Sequence, residues 1–300
     1  MFTPSPLQEI KDKKLDAGSL KLFIKREDLL EIVPNNPHIS GNKWRKLKYN
    51  LQQAKAENHD TLFTFGGAYS NHIHATAAVG KAFNLKTIGM IRGEETLPLN
   101  PTLQFAKTQG MQLHYVDRQM YRQKNDNAFI EKLKEKFGRF YLLPEGGTNF
   151  LALKGCAEMV DEITIPFDYI CCACGTGGTL SGIVLGLEAP QKAMGFAALK
   201  GNFLMKEVQR LLQNNTATNW HIQSDYHFGG YAKHTPTLLD FMRDFQEKHG
   251  IVLEPLYTGK MLYGIFDLIE KQYFPKGSTI VAIHTGGLQG LAGFWERFGD

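Results

Sequence analysis

A glycine- and threonine-rich turn that follows an apolar run is the segment of this sequence best suited to bind a ligand. The apolar run DYICCA occupies residues 168–173, and the turn CGTGGTLSG occupies residues 174–182. Glycines let the backbone approach a ligand closely, and N–H groups at the start of a helix converge on anions. We therefore predict a phosphate-binding loop between a strand and a helix.

Two common phosphate loops do not match this turn. The dinucleotide pattern G-x-G-x-x-G starting at Gly175 needs a third glycine where Leu180 stands, and the nucleotide triphosphate loop needs a lysine after Gly182. The two hydroxyl groups of Thr176 and Thr179 fit one terminal phosphate monoester, such as that of pyridoxal 5'-phosphate (PLP). The alternative is an ordinary glycine-rich turn that binds nothing.

A lysine at a predicted helix start and a second polar turn supply further candidates. Lys43 lies in the sequence SGNKWRK, and a helix N-terminus favours the neutral amine that a nucleophile needs. A lysine there is also commonly a surface residue. The sequence GGAYSNH at residues 66–72 predicts another strand–turn–helix junction, in which Ser70 and Asn71 cap the helix or bind a substrate carboxylate. The sequence HTGG at residues 284–287 ends the last predicted strand in the same way.

The overall composition is that of a folded globular protein. Of 300 residues, 43% are hydrophobic and 21% are charged, which is enough apolar material for an ordinary core. The net charge of +4 comes from interspersed charges of both signs, which does not favour nucleic-acid binding. The first residues show no signal-peptide pattern and no apolar run reaches membrane-spanning length, so we expect a cytoplasmic protein.

The four cysteines predict buried thiols and no metal site. Cys171, Cys172 and Cys174 belong to one predicted strand, in which adjacent side chains point to opposite faces, and Cys156 lies before it. No paired C-x-x-C motifs or nearby histidine complete a zinc site. We expect these thiols to pack as small hydrophobic groups, with Cys174 near the ligand.

Apolar runs alternate with helical periodicity from about residue 40 onward. The predicted strands are residues 62–65, 87–91, 111–116, 140–143, 169–173, 193–197, 220–223 and 279–283. Such alternation predicts the α/β class, with parallel sheets covered by helices on both faces. The segment PEGGTN at residues 144–149 separates the two series, so we predict two doubly wound domains. Ligands bind at the carboxyl edges of such sheets, where the polar turns are expected.

Six motifs occur in the order found in the 1-aminocyclopropane-1-carboxylate (ACC) deaminase / D-cysteine desulfhydrase family, which the sequence resembles over nearly its whole length. They are KREDL at 25–29, GNKWRKL at 41–47, GGAYSNH at 66–72, GTGGT at 175–179, YTGK at 257–260 and HTGG at 284–287. Members are PLP enzymes with the fold of the tryptophan synthase β-subunit (fold type II). The resemblance implies a large domain of residues 1–49 and 149–300, a small inserted domain of residues 50–148, PLP in the cleft between them, and a homodimer.

The resemblance also implies roles for individual residues. Lys43 is expected to form the Schiff base with PLP, and Asn71 to bond to the ring 3-oxygen. The phosphate-binding loop is expected to comprise Cys174, Gly175, Thr176, Gly177, Gly178 and Thr179. In the family Ser70, Asn71 and His72 lie where the substrate carboxylate binds. Tyr69 stands beside them, at a position where the family usually has glutamine.

The remaining implied residues belong to the catalytic set and to the cofactor ring. The expected catalytic residues are Lys43, Ser70, Tyr231 and Tyr257. Tyr257, Thr258 and Thr285 are also expected to contact the cofactor. Lys43, once displaced by an amino-acid substrate, is well placed to take the α-proton. Loss of a β-substituent then leads to a keto acid and ammonia.

Two threonines favour D-cysteine over ACC as the substrate. ACC deaminases carry glutamate at the position of Thr258, near the pyridine nitrogen, and leucine at the position of Thr285. A carboxylate keeps the ring nitrogen protonated, whereas a hydroxyl does so much less. The alternatives are ACC deaminase, a serine/threonine-type dehydratase or racemase, and a binding protein that holds a phosphate-bearing ligand without chemistry.

Overall fold

The computed structural model describes residues 3–213 and 216–298. The strands of this part of the chain are β1 Leu7–Ile10, β2 Lys21–Lys25, β3 Thr61–Gly67, β4 Lys86–Arg92, β5 Gln112–Val116, β6 Tyr141–Leu143, β7 Tyr169–Cys174, β8 Lys192–Ala197, β9 Trp220–Gln223 and β10 Thr279–Ile283. The helices are α1 Gly41–Ala56, α2 Asn71–Ala82, α3 Pro101–Thr108, α4 Arg118–Tyr121, α5 Asn127–Phe137, α6 Phe150–Asp161, α7 Gly178–Gly186, α8 Phe203–Leu212, α9 Pro236–His249, α10 Thr258–Glu270 and α11 Gly290–Phe298. None of these helices has the length and apolar composition needed to cross a membrane.

The chain folds as two compact units. The first contains the described residues of Met1–Leu30 and Leu153–Leu288, and the second those of Glu31–Ala152 and Gln289–Asp300. These bounds differ from the expected ones, which assigned residues 31–49 and the C-terminal segment to the large domain. The reason is packing, because α1 buries Leu47 and Leu51 against apolar residues of α2 and β3.

The first unit is built on a six-stranded sheet in the order β1-β2-β10-β7-β8-β9. All neighbouring pairs are parallel except β1 and β2, which are antiparallel. One face of the sheet is covered by α9 and α10, and the other by α7 and α8, each through buried aliphatic side chains. The glycine-rich turn therefore starts at the carboxyl end of a central strand, where doubly wound sheets bind ligands.

Strand β2 carries a buried charge. The ammonium group of Lys25 donates to the carbonyl oxygen of Ser5 at 2.8 Å and to the carboxylate of Glu162 at 2.9 Å. Glu27 lies 3.9 Å from the same ammonium, and its carboxylate accepts a hydrogen bond from the hydroxyl of Ser5. Lys25 and Glu27 of the KREDL motif thus serve the packing of this sheet.

The second unit is built on a four-stranded parallel sheet in the order β5-β4-β3-β6. Helices α1, α2 and α3 cover one face, and α4 and α5 cover the other. The chain runs from β3 through β4 to β5 and then returns to β6 on the other side of β3. The carboxyl ends of β3 and β6 therefore flank the point where the strand order reverses.

All eight strands predicted from the sequence are present, within a few residues of the expected bounds. Strands β1 and β2 were not predicted, and β1 makes one edge of the first sheet antiparallel. Both lie before residue 40, ahead of the alternation on which the prediction was based, although β2 contains the short apolar run LFI at residues 22–24. The prediction of two α/β units built on parallel sheets is otherwise confirmed.

Candidate active site

The turn between β7 and α7 has the geometry of an anion-binding loop. Gly177 has a φ angle of +78°, precedes the first residue of α7 and provides no side-chain cap. The first-turn N–H groups of a helix have no acceptor within that helix. A Cβ atom at Gly177 would lie 2.9 Å from Cγ2 of Val208, so glycine is required here for space as well as for backbone angle.

Tyr257 packs directly against this loop. A Cβ atom at Gly175 would lie 3.2 Å from Cε1 and 3.4 Å from the hydroxyl oxygen of the Tyr257 ring. The ring of Tyr231 lies at 6.3 Å from that of Tyr257, centroid to centroid, in an edge-to-face arrangement. The first unit therefore brings both predicted tyrosines to the predicted phosphate loop.

Lys260 holds the segment that carries Tyr231. Its side chain is 1% exposed, and its ammonium group donates to the carbonyl oxygens of His227 at 2.9 Å and Gly230 at 2.8 Å. Burial lowers the pKa of Lys260 to about 8, partly offset by the charge of Glu254. Lys260 had no predicted role of its own, although a lysine beside Met261 and Leu262 on an apolar helix is a visible signal in the sequence.

Thr258 begins α10 and is fully buried. Its hydroxyl accepts from the backbone N–H of Glu254 at 3.0 Å and lies 3.3 Å from the Glu254 carboxylate. That carboxylate also accepts from the backbone N–H groups of Leu256, Tyr257 and Thr258 at 2.8, 2.8 and 2.6 Å. Burial raises the pKa of Glu254, and these hydrogen bonds counteract the rise. The Glu254 carboxylate beside the start of α10 is thus bound by backbone N–H groups.

The HTGG segment follows β10. His284 is buried, its Nε2 lies 2.8 Å from the carbonyl oxygen of Val252, and the N–H of Gly286 points to its Nδ1 at 3.4 Å. Burial lowers the pKa of His284, although Asp28 lies 3.2 Å away, so the ring is neutral near pH 7. Thr285 is buried beside it, and positive φ angles at the two following glycines turn the chain away from the strand.

The Cys174 side chain is buried in a hydrophobic cluster of the first unit. Its sulfur lies 3.9 Å from that of Cys172, and its carbonyl oxygen accepts from the N–H of Ala198 at 2.9 Å. The Cys171 side chain faces the opposite side of the sheet, as the strand alternation predicts. Among the described residues, no group of three or more His, Cys, Asp or Glu side chains is arranged to hold a metal ion.

Lys43 lies in the first turn of α1, as predicted. Gly41 opens the helix with a φ angle of +67°, and Lys43 Nζ lies 3.4 Å from Oδ1 of Asn42. One turn later the ammonium group of Lys46 contacts the carbonyl oxygen of Gly146 at 3.3 Å and the hydroxyl of Thr148 at 3.1 Å. Lys43 and Lys46 are three residues apart, so they lie on the same side of α1.

His72 lies beneath these lysines and is buried. Its Nε2 lies 2.8 Å from the hydroxyl of Thr64, which itself donates to the carbonyl oxygen of Leu143 at 2.9 Å. Nε2 therefore carries the hydrogen, and Nδ1 is a buried acceptor without a partner in the described part of the chain. Burial, followed by the charges of Lys43 and Lys46, lowers the pKa of His72 well below its ordinary value.

Ser70 and Asn71 occupy the turn between β3 and α2. The Ser70 hydroxyl accepts from the N–H of Ile73 at 3.3 Å, so it caps α2. The Asn71 Oδ1 accepts from Nε2 of Gln289 at 3.1 Å, which orients the amide and leaves its NH₂ group as a donor. The Tyr69 ring packs against Gly293, where a Cβ atom would lie 3.2 Å from two ring carbons.

Comparison with known proteins decides the family. The profile of pyridoxal-phosphate-dependent enzymes matches residues 2–286 of the sequence. The chain belongs to this PLP-dependent family. Its cofactor is PLP. The chain is therefore an enzyme of this family rather than a binding protein that performs no chemistry.

Related proteins align with almost the whole length of this PLP-dependent enzyme. The chain is 32% identical to the Arabidopsis thaliana protein named bifunctional D-cysteine desulfhydrase/ACC deaminase, over 96% of this chain and 77% of that one. It is 26% identical to the D-cysteine desulfhydrase of Salmonella schwarzengrund, over 96% and 93%. A crystal structure described as an ACC deaminase homologue superposes with a TM-score of 0.80, at 30% identity, over 96% and 90%. The predicted tryptophan synthase β-like fold is confirmed.

The residues of this PLP-dependent enzyme fit its cofactor. The β7–α7 turn is a cradle that a Cβ atom would fill at Gly175 and Gly177, and it ends in the first turn of a helix with no side-chain cap. Such a turn suits a phosphate dianion. The oriented NH₂ group of Asn71 suits an anionic ring oxygen. When bound, PLP draws electrons from the α-carbon of an amino acid, and the protein contributes binding and orientation.

Proposed function

We propose that this protein is a PLP-dependent lyase that removes a β-substituent from a small amino acid, with D-cysteine as the preferred substrate. The products would be pyruvate, ammonia and sulfide. The observation that carries the choice of substrate is the neutral side chain at the first residue of α10. Thr258 stands there, and the neighbouring Glu254 carboxylate is bonded to three backbone N–H groups.

The leaving group explains why this neutral side chain matters. A carboxylate at the pyridine nitrogen keeps the ring protonated and stabilises a carbanion strongly, which ring opening of ACC demands. A hydroxyl stabilises the carbanion less, so a good leaving group such as sulfide gains importance. About 1.4 kcal/mol of differential transition-state stabilisation changes selectivity tenfold, so two side chains are sufficient to set the preference.

Residues of α1, of the β3–α2 turn and of the β7–α7 turn are proposed to bind the cofactor. Lys43 carries PLP and moves the α-proton, and its position in the first turn of α1 favours the neutral amine that this role needs. Asn71 binds the ring 3-oxygen through its NH₂ group. The backbone of Gly175–Gly178, with Thr176 and Thr179, binds the phosphate.

Further residues complete the assignment around the substrate and the ring. Ser70 and Asn71 bind the substrate carboxylate, with Tyr69 beside them. Tyr231 and Tyr257 are the catalytic tyrosines, and Tyr257 also contacts the cofactor, as do Thr258 and Thr285. The buried position of His72 supports a role in positioning the Ser70–Asn71 turn.

A keto-acid release assay tests the proposed reaction. D-Cysteine, D-serine, L-serine and ACC are supplied to one preparation, and pyruvate is distinguished from 2-oxobutyrate. We expect D-cysteine to give the highest kcat/KM. Faster turnover of ACC would favour ACC deaminase, the activity in the names of several relatives. Faster turnover of L-serine would favour a dehydratase.

A pair of substitutions tests the role given to the two threonines. Thr258→Glu combined with Thr285→Leu should move selectivity from D-cysteine toward ACC. Thr258→Ser is the matched control, because it keeps a hydroxyl group at the same place. A double variant that retains the cofactor and the original selectivity contradicts this role.

Covalent labelling tests the assignment of Lys43. Borohydride reduction of the yellow protein should abolish the visible absorption band and fix the cofactor on a peptide that contains Lys43. Lys46 and Lys260 are internal controls, since both are buried lysines. Label on either of them contradicts the assignment.

Two further points belong to the proposal. The resemblance to the family supports a homodimer, which light scattering coupled to size-exclusion chromatography measures. We also propose a cytoplasmic location for the protein, which cell fractionation measures.

A further inference from the structure

The second unit contains a cavity lined by positive charge that the proposed reaction does not use. Its volume is about 360 Å³, within the range of small-molecule sites. The lining residues are Arg92, Arg118, Tyr121, Arg122, Lys124 and Glu145. None of them is among the residues proposed to bind the cofactor or the substrate.

The cavity lies at a favourable place in the fold. Arg92 ends β4, and its Nη2 would lie 3.5 Å from a Cβ atom at Gly67, so its side chain reaches the end of β3. Glu145 follows β6 by two residues. The carboxyl ends of β3 and β6 flank the point where the strand order reverses, and ligands bind at such points in open α/β sheets.

The charges in the cavity are unbalanced. The Glu145 carboxylate accepts from the Tyr121 hydroxyl at 2.8 Å and pairs with Lys124 at 3.4 Å. In residues 3–213 and 216–298, no carboxylate forms an ion pair with the guanidinium groups of Arg92, Arg118 or Arg122. Four cations therefore face one carboxylate, which leaves a net charge of about +3 for an anionic ligand to balance.

Part of this arrangement is held rigidly. Tyr121 is 3% exposed and packs edge-on against Phe65, while burial and the neighbouring Glu145 carboxylate raise the pKa of its hydroxyl. The Arg92 guanidinium lies 5.5 Å from the ring centroid of Tyr121, and Lys124 Nζ lies 5.3 Å from it. Cation–π contact with a fixed ring orients both cations before a ligand arrives.

We propose that this cavity binds the phosphoryl group of a small phosphorylated metabolite. Guanidinium groups are planar donors that match phosphate oxygens in pairs, and three of them offer more donors than one carboxylate can use. A phosphoryl group carries close to two negative charges near pH 7, so it neutralises more of the excess than a single carboxylate does. The site is independent of the phosphate loop at β7–α7.

The experiment measures binding of inorganic phosphate to the cofactor-saturated enzyme by titration calorimetry at constant ionic strength. We expect saturable binding with one site per chain and no change in the visible absorption band. The double substitution of Arg118→Gln and Arg122→Gln should weaken phosphate binding at least about tenfold, because charge-assisted hydrogen bonds to phosphate are lost. Arg243→Gln, on an exposed arginine of α9, is the matched control and should change nothing.

Each remaining outcome contradicts the proposal. Absence of binding at about 10 mM phosphate means that the affinity is too low for a built site. Equal affinity in the double variant places the bound phosphate elsewhere. Malonate that binds as tightly as phosphate shows a dicarboxylate site instead. Arg118 and Arg122 are both exposed, so the double variant should fold. The single Arg122→Gln variant repeats the measurement with only one of the two guanidinium groups removed.

Discussion

The two strand–turn–helix junctions β7–α7 and β3–α2 look alike in sequence but satisfy their helix N-termini differently. In the first, Gly177 precedes the helix and has no side chain that could accept a hydrogen bond from the first-turn N–H groups. In the second, the Ser70 hydroxyl accepts from the N–H of Ile73, so the protein supplies part of the cap itself. A glycine cap therefore indicates a site for a ligand with full negative charge, and a serine cap a site that is partly self-satisfied.

The largest expected effect comes from closing the glycine-capped junction. Gly177→Val places a β-branched residue at a φ angle of +78°, with its Cβ 2.9 Å from Val208. We expect the purified variant to contain no PLP, as measured by its visible absorption. Gly138→Val is the control, because Gly138 has a φ angle of +77° with open space around it. A Gly177 variant with full cofactor would contradict the role of this turn.

The second prediction uses acid to separate the junctions, since His72 and His74 lie in the serine-capped helix. Burial lowers the pKa of both, that of His74 to about 3, so both are neutral in the fold. In the unfolded chain both imidazoles take up a proton near pH 6.5. Their contribution to the stability of the folded state is therefore fully present above about pH 6.5 and is lost as the pH falls below that value. Two protons taken up on unfolding change the equilibrium constant about 100-fold per pH unit.

Hydrogen exchange measures this difference. Amides of α2 should lose protection between about pH 6.5 and pH 5 after correction for intrinsic rates, whereas amides of α7 should lose less. His74→Phe removes one of the two protons and should reduce the slope by half. Equal losses in both helices, or no loss in α2, would show that these histidines do not control local stability.

A smaller effect is expected from changing the cap of the second junction. Ser70→Asp keeps an acceptor for the N–H of Ile73, so stability should stay within about 0.5 kcal/mol of the wild type. The added charge repels a substrate carboxylate, so KM should rise by about tenfold or more. Ser70→Ala has the opposite profile, with about 1 kcal/mol of stability lost and a smaller rise in KM. An unchanged KM in Ser70→Asp would leave Ser70 with a capping role alone.

How far these features could be predicted depends on whether their causes are local. The glycine turn and Lys43 could be located because a strand, a turn and a helix start are each visible within ten residues. Glu254 and Lys260 were missed as partners of the backbone, since Lys260 acts on carbonyl groups about thirty residues away. The expectation that Cys174 lies near the ligand, drawn from its place at the strand end, stays a prediction, and its side chain packs in the core as expected for a buried thiol.

The same distinction applies to the fold. Eight strands were predicted from apolar runs after residue 40, whereas β2 has only three apolar residues between two lysines and lies before that alternation. Only the contact of Lys25 with Glu162, far along the chain, makes its last residue a core position. The compact units also differ from the predicted domain bounds, because α1 packs by the apolar residues Leu47 and Leu51, whose partners lie on α2 and β3.

The smallest expected effect concerns the loop that Lys260 holds. Lys260→Met removes the donor to the carbonyl groups of His227 and Gly230, so residues 225–235 should exchange amide hydrogens faster. Because this loop carries Tyr231, we expect kcat/KM to fall by a few-fold, while cofactor content stays unchanged. Lys271→Met, at the exposed end of the same helix, is the control. Unchanged exchange in the loop would contradict the role of Lys260.

The buried ammonium group of Lys25 also determines how the N-terminal hairpin aligns. Ser5 lies just before β1, so a slip of β1 by one residue along β2 would move the Ser5 carbonyl group about 3.3 Å away from the Lys25 ammonium group and turn the side chains of β1 to the opposite faces of the sheet. The pair of Lys25 with Glu162 would remain, but the Lys25 ammonium group would lose a buried acceptor, which costs about 1–3 kcal/mol. A short edge strand of four residues has little else to fix its alignment. One lysine thus makes every neighbouring pairing of β1 unfavourable, and the hairpin has a single register.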